Sequence, residues 1–544
     1  MSLSNLPPGS ESDTSVVTTK VIVNGTELSG EVLLIQFSVQ KFFNKISGAR
    51  LLFQDGNVAE REFSLSNEDN LKPGSAIEIK SGYEGQTETI FEGIIIGHKI
   101  QIKPDGNSYL HIEAKDEAIK LTSARKSAYF IEKKDSEVME EILDAAGLKN
   151  SIDRTNEQNE QLVQYNATDW DFLAIRAEAN GMFVFTDNGE VTIAKPDTQQ
   201  KPILSLTYGD NILDFEAELD ARRQHHSVTA ATWDYRNQEM NISDQGSSSF
   251  SETGNLTSDN LASVLGSEPK LVHTGKLESS QLQDWANAQD LQARMAKVTG
   301  RVRVLGNATI KPGTMIELKG VGDRFNGNVF VTGVVHLFTG NLFTDIHFGW
   351  GEDPFYKKED VMDKAASGLL PGVNGLEIGI VEDTDDPEGQ YRIKIKLPSI
   401  LGGNEGVWAR VAMPEAGSKR GIFFRPEVDD EVVLGFLNDD PNYPVVLGSL
   451  YSSDSRKPPL EKTDSSKETG IVTGEKSKLV FNDSKKSITI SAGGDGGEKT
   501  IILNDSGSIL IKDDLGNKMM MGAAGITIES SGTITIKGAL VKIN

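Results

Sequence analysis

The chain has 544 residues, enough for three or four domains at roughly 150 residues each. Its 80 acidic residues against 55 basic ones leave a net charge of −25, a surface that repels phosphate and argues against nucleic acid or an anionic membrane as a binding partner. Cysteine is absent, which excludes a disulfide scaffold, a Cys-ligated metal and a thiol nucleophile.

The opening MSLSNLPPGSESDTS has neither a basic region nor an apolar stretch, so it reads as a disordered tail over residues 1–16 and not as a secretory signal. No segment approaches the ~20 apolar residues of a membrane span. From Val17 onward apolar and polar residues alternate in the manner of strands, interrupted at Asn24-Gly25, a strong hairpin signal. Helices are few. Residues 135–148 carry acids in the first turn and stop at Gly147; residues 168–181 open on a capping Thr168; residues 280–300 place Leu282, Trp285, Leu291 and Met295 near one face. The Ser/Asn/Gly-rich stretch 241–269 reads as a long surface loop.

An internal repeat carries more information. LKPGSAIEIK (71–80) returns as IKPGTMIELK (310–319), with six identities in ten positions. Each copy is followed about twenty residues later by a related strand, FEGIIIGH from Phe91 and FVTGVVH from Phe330. A Pro-Gly turn feeding an alternating strand, found twice at matched spacing, predicts a duplicated β-domain. Residues 372–451 hold five short strands with Gly, Pro and Asp turns, the pattern of a small OB-like barrel.

A second repeat occupies the C-terminus, where SGSILIK (506–512) is nearly repeated as SGTITIK (531–537). Short strands recur at steps near eight residues, each with one apolar row: Ile488 and Ile490, Ile501 and Leu503, Ile509 and Ile511, Met519 and Met521, Ile526 and Ile528, Ile534 and Ile536. From Ile471 to Asn544 there is no proline and one aromatic residue, and nine Lys stand against eight acids. Strands this thin cannot build a substantial core alone. Three copies wound about a common axis would bury those twelve residues in the middle and close the exposed edges. The alternation runs on to the penultimate residue, so the last rung would leave an open sheet end at Leu540, Val541, Ile543 and Asn544 that needs a cover.

Catalytic chemistry finds no foothold in the sequence. The seven His form no HExxH pair, and adjacent His225 and His226 on a strand would point to opposite faces. There is no P-loop, no G-x-S-x-G and no GxGxxG between a strand and a helix. The expected catalytic, cofactor and metal residues are therefore none.

GVWARVAMPEAGSKRGIFFRPEVDDEVVLGFLNDDPNYPVVLGSLY (406–451) closely resembles the barrel domain of VgrG-type spike proteins of contractile injection systems, with Asp429 where that family usually carries Gly in a turn. YNATDWDFLAIRAEANGMFVF (165–185) looks like the helix–strand segment of phage baseplate hub and late-control proteins. The resemblance implies a mainly β fold with a few helices: duplicated hub-like β-barrel domains with an α/β insert, an OB-fold barrel and a C-terminal trimeric β-helix. The domains would be 17–124 (first hub), 125–204 (α/β), 205–371 (second hub), 372–455 (OB-fold), 456–470 (linker) and 471–544 (needle). It further implies a non-enzymatic homotrimer that joins a hexameric inner-tube ring to a membrane-puncturing needle. Baseplate proteins, a PAAR-repeat tip protein and effector cargo are the implied partners. The particle would be assembled in the cytoplasm and act outside the cell. Two duplicated domains in each of three chains would present six related units to a sixfold tube, with Lys72 and Lys311 at similar height about sixty degrees apart. A spike-borne lytic enzyme would need an inserted domain, for which residues 452–470 leave no room. A trimeric receptor-binding fibre would not account for the N-terminal two-thirds. Whether the machine is a type VI system, an extracellular particle or a phage stays open.

Overall fold

The computed structural model describes residues 16–543 apart from 235–236, 359, 401–404, 453–455, 461–466 and 494–497. Of the expected tail all but Val16 lies outside the described residues, as does part of the expected linker. The chain divides into two units, Met1–Asp363 and Lys364–Asn544.

In the first unit the alternating segments form β1 (Val17–Val23), β2 (Thr26–Glu27), β3 (Leu34–Phe42), β4 (Gly48–Gln54), β5 (Ala76–Tyr83), β6 (Glu88–Ile102) and β7 (Ser108–Lys115). Asn24 and Gly25 make the β1–β2 turn with φ of 49° and 80°, the left-handed pair that a two-residue hairpin requires. The long β6 serves two layers. Its residues 88–94 pair with β5 and 94–102 with β7, and a bulge between Ile95 and Gly97 turns the strand from one layer to the other. Phe37, Leu51, Phe53, Ile79, Leu110 and Ile112 fill the space between the layers.

The α/β insert follows: β8 (Arg125–Lys134), α1 (Asp135–Ala145), β9 (Lys149–Ile152), β10 (Gln158–Thr168), α2 (Asp169–Ala179), β11 (Phe183–Asp187) and β12 (Glu190–Ala194). Thr168 caps α2 by accepting from the Asp171 N–H, and Asp169 and Asp171 complement the positive end of the helix dipole. Leu143, Leu173, Val184 and Val191 are fully enclosed in this insert's core.

The chain then re-enters the large sheet through β13 (Leu204–Thr207) and β14 (Asp214–Leu219) and leaves it for a second insert: β15 (Thr229–Asp234), β16 (Glu239–Ile242), α3 (Ser258–Leu265), β17 (Lys270–His273) and α4 (Ser279–Met295). It returns as β18 (Val298–Leu305), β19 (Met315–Lys319), β20 (Gly327–Phe338) and β21 (Leu342–Phe348). Two sequence expectations are corrected here. The helix expected to run to Gly300 ends at Met295, because Val298 already pairs with Leu219 in the sheet. The stretch 241–269 is not a surface loop throughout. It contains α3, held by a reciprocal Thr257–Asn260 cap and a left-handed Gly266 (φ 62°), and its Glu252 is clamped by Arg294 at 2.8 Å and buried Lys297 at 2.7 Å.

The duplication holds bond for bond. Gly74 (φ 95°) donates to the Ile95 carbonyl and Gly313 (φ 90°) to that of Val331, both at 2.8 Å. Ile95 donates back to Ser75 and Val331 to Thr314, both at 2.9 Å. Neighbouring strands β5, β6, β7, β4 and β3 correspond in order to β19, β20, β21, β18 and β14. The bulges coincide, 95/97 in one copy and 331/333 in the other, so Gly97 is the counterpart of Gly333. Aligning Phe91 with Phe330 is therefore displaced by three residues, since Ile94 is the residue that stands opposite Ala76 as Phe330 stands opposite Met315. The copies differ at one margin: β1 runs antiparallel to β5, whereas β13, entered from the insert, runs parallel to β19. The two lobes, each around its own core, are joined through β3 and β20 into one 13-stranded sheet.

In the second unit β22 (Glu377–Asp383), β23 (Ile393–Lys396), β24 (Val407–Val411), β27 (Glu431–Phe436) and β28 (Pro444–Ser449) close a five-stranded barrel, with a small hairpin of β25 (Ala416–Gly417) and β26 (Arg420–Gly421) between β24 and β27. Val381, Ile393, Ile395, Ala409, Val432 and Leu434 fill its interior. A seven-stranded antiparallel meander follows: β29 (Glu468–Val472), β30 (Lys478–Asn482), β31 (Ser487–Ala492), β32 (Lys499–Leu503), β33 (Ile509–Lys512), β34 (Lys518–Gly522) and β35 (Gly525–Glu529).

Candidate functional site

Three features present unfinished structure: an apolar ladder on the meander and two of the free edges on the large sheet. On one face of the meander, apolar residues stand directly opposite one another across neighbouring strands. One ladder runs Phe481, Ile488, Leu503, Ile509, Met521, Ile526; the other runs Ile471, Leu479, Ile490, Ile501, Ile511, Met519, Ile528. Ten of the twelve expected axis residues thus share one face. The chain leaves that face open, with Ile490 46%, Ile501 37% and Ile511 41% exposed. Ile471, Leu479 and Phe481 extend it and were not anticipated, although the same alternation marks them. The remaining two, Ile534 and Ile536, lie beyond β35, where the chain forms no strand among the described residues. The expected strand at the C-terminus is corrected likewise. After Ser530 and Ser531 turn the chain at Gly532, no further segment pairs with β35 among the described residues. Leu540, Val541 and Ile543 are exposed, and Asn544 lies outside the described residues.

Among the described residues the large sheet has open margins at β1–β2 and at β13, and two more where β14 pairs only with β18 and residues 97–102 of β6 pair only with β7. The last two are counterparts of strands that are paired within the chain, where Gly333–Phe338 of β20 lie antiparallel against Phe42–Phe37 of β3. Phe37 and Phe338 stack across that junction with ring centroids 5.4 Å apart. Carrying the registers through β7, β4, β21 and β18 makes Phe215 the counterpart of Phe37, and Ile102 that of Phe338. The free edge of β6 exposes Ile100 (42%) and Ile102 (70%).

A charged cluster ties the α/β insert to this sheet. Lys41 of β3, only 3% exposed, meets Asp187 and donates to Asn188 Oδ1 at 3.2 Å; Lys311, from the second Pro-Gly turn, reaches the other oxygen of Asp187 at 2.7 Å. Burial alone would raise the Asp187 carboxyl, but the two ammonium groups outweigh it and hold it below the usual range. Burial pulls Lys41 down, with only part restored by Asp187. His336, on β20 beside this cluster, is pushed down to about 3 by burial and the charge of Lys41, so it stays neutral and shares a 3.0 Å hydrogen bond with Thr344. Lys72, the backbone counterpart of Lys311, pairs instead with exposed Asp69 at 3.2 Å. These contacts position elements and bring no nucleophile and base together. Among the described residues no group of three His, Asp or Glu is placed to hold a metal, and no helix is long and apolar enough to cross a membrane.

The family model of the Alg8 N-terminal domain matches residues 13–339, and that of the type VI secretion system/phage-baseplate injector OB domain matches residues 377–451. The chain is 30% identical over 143 residues to the actin cross-linking toxin VgrG1 of Vibrio cholerae, covering 25% of this chain and 12% of that protein. It is 43% identical over 65 residues to the type VI secretion system spike protein VgrG5 of Pseudomonas aeruginosa, covering 11% and 8%. The matched segments are thus about a tenth of those relatives' length. Among solved structures, the tail protein of Neisseria meningitidis aligns with a TM-score of 0.46 at 14% identity over 63% of this chain and 98% of its own. The Escherichia coli c3393 protein, a component of the type VI secretion system, aligns with a TM-score of 0.37 at 14% identity over 79% and 100%.

Proposed function

The chain belongs to the family of the Alg8 N-terminal domain, and we propose that it is a VgrG-type spike protein of which three copies form the hub and needle of a contractile injection machine. The observation that carries this reading is the repetition of one junction. The register that joins β20 to β3 inside the chain, transferred to the free edges, sets β6 of one copy antiparallel to β14 of the next. Ile102 then falls opposite Phe215, Gln101 opposite Glu216, Ile100 opposite Ala217 and Lys99 opposite Glu218. Apolar residues meet apolar ones, and a cation meets an anion. Two lobes per chain and one seam between chains close after three copies, which pairs both of these edges while the margins at β1–β2 and β13 stay open. Six similar lobes suit a hexameric inner-tube ring, while the ladder of residues 471–528 gains a shared core in the needle.

In this reading the protein is a mechanical part with no catalytic step. Thrust from the tube passes through the hub and barrel to the needle, which punctures a target membrane. A PAAR-type tip protein covers Leu540, Val541, Ile543 and Asn544, baseplate proteins surround the hub, and cargo rides with the assembly to the outside of the cell. The deciding experiment is sedimentation equilibrium of the full chain at micromolar concentration. A trimer is expected; a folded monomer overturns the reading.

A further inference from the structure

The two inserts each carry an apolar face that the described residues leave exposed. In the second insert the sheet β16-β15-β17 packs Ala230 and Leu271 against Leu282 and Ala286 of α4. Its opposite face sets Trp233 across from Met240, and Ala231 between Ile242 and Val272. Trp233, Met240, Ile242 and Val272 are 41%, 45%, 62% and 61% exposed. In the α/β insert the ribbon of β8 and β10 buries Phe130 and Leu162 in the insert's core. Its outer face carries Tyr129 across from Val163, with Ile131 and Tyr165 beside them, at 80%, 45%, 56% and 74% exposure. Apolar groups gathered on one face of a sheet mark a place where another surface settles.

The strand registers say which surface. The first insert leaves the large sheet after Lys115, which lies opposite Gly48 and Ile94. The second leaves after Leu219, opposite Val298. At the seam between copies Leu219 stands opposite His98, and His98 is paired to Ile112, three residues before β7 ends. Both inserts therefore rise from the same end of the sheet, and across a seam the strands they leave, β14 and β7, are separated by β6 alone. Within one chain the two inserts already meet along other faces, where Ser280 of α4 donates to Glu157 and Gln281 Nε2 donates to Asn159 Oδ1 at 2.8 Å, which leaves the Trp233 and Tyr129 faces for a neighbouring copy. We propose that the Trp233 face of one copy packs against the Tyr129 face of the next, so that neighbouring inserts clasp each other over every seam. This contact rests on the trimeric reading and adds to it a second interface, formed by side chains where the seam itself is formed by backbone.

The absence of cysteine makes the test direct. Full-length chains carrying Met240→Cys are mixed during assembly with chains carrying Ile131→Cys and treated with a short bismaleimide. Linked dimers on a denaturing gel are expected from the mixture and not from either variant alone. A parallel mixture of Lys99→Cys and Glu218→Cys chains reports on the seam. Linking at the seam without linking at the inserts overturns the clasp and leaves the ring standing. Failure of both mixtures, with a monomer in sedimentation, overturns the trimeric reading and the clasp with it. A third measurement separates an outside partner from a second copy. In assembled trimers Met240→Cys should react with a bulky maleimide at least tenfold more slowly than Val264→Cys, an exposed helix position of the same insert. Equal rates would show the face open to solvent and refute the proposal.

Discussion

His336 gives the hub a specific sensitivity to acid. In the folded chain it is held near 3, whereas in the unfolded chain it titrates at about 6.5. Above pH 6.5 it is neutral in both states and costs nothing. As the pH falls from 6.5 toward 3 the unfolded chain takes up a proton that the folded one refuses, and stability drops by about 1.4 kcal/mol per pH unit. His336→Gln keeps a partner for Thr344 without the titration, so urea unfolding of this variant should lose about 3 kcal/mol less than wild type between pH 7 and pH 4. Equal losses would mean that His336 is protonated while folded. A second residue-scale consequence concerns Asp429, whose φ of 68° places it in the left-handed region while its N–H donates to Val381 at 2.8 Å. Asp429→Gly should raise barrel stability by up to about 1 kcal/mol, and Asp429→Val should lower it by about 1–2 kcal/mol, read from thermal melts. The turn itself was legible in the sequence, because the family pattern carries Gly there. The Lys41–Asp187–Lys311 cluster was not, since its members lie far apart in the chain and nothing local marks them.

At the scale of elements, the meander turns a sequence pattern into one continuous surface. Ile511 stands between Ile501 and Met519 on the open ladder. An isolated chain would tolerate a charge there, since the side chain is 41% exposed. A needle of three chains would not, because three carboxylates would be buried together at several kcal/mol each. Ile511→Asp should therefore abolish the thermal resistance of the needle, and an unchanged melt would show that this face meets water. Period-two alternation was enough to find this row, because a strand's face is set by residue parity alone. The helix α3 was hidden by a serine-rich composition whose caps, Thr257 and Gly266, only count once the flanking strap is pinned. The correspondence of Gly97 with Gly333 was missed because a bulge breaks parity, and the hydrogen bonds from the Pro-Gly turns set the register instead. The free edges were equally out of reach: which strand lacks a partner depends on the whole sheet.

At the scale of the molecule, residues 540–544 offer a test that separates capping from assembly. Residues 540–544 follow the last strand and make no sheet contact among the described residues. Their deletion should leave the trimer intact in sedimentation while removing capture of a PAAR-type tip protein in pull-down. Capture at full strength would move the cap site back toward β34 and β35. Loss of the trimer would place these residues inside the needle's core instead.

The unequal fates of Lys72 and Lys311 bear on how such a particle should be imaged. Six related Pro-Gly turns circle the proposed hub, but the lysine of every second one is paired with half-buried Asp187 while the lysine of the others is paired with exposed Asp69. Identical tube subunits seated on this ring would meet two kinds of neighbour in strict succession. A reconstruction computed with sixfold averaging would superpose the two kinds and blur the inserts that distinguish them. If three copies form the hub as proposed, the period of the docked ring is 120°, which threefold averaging would preserve.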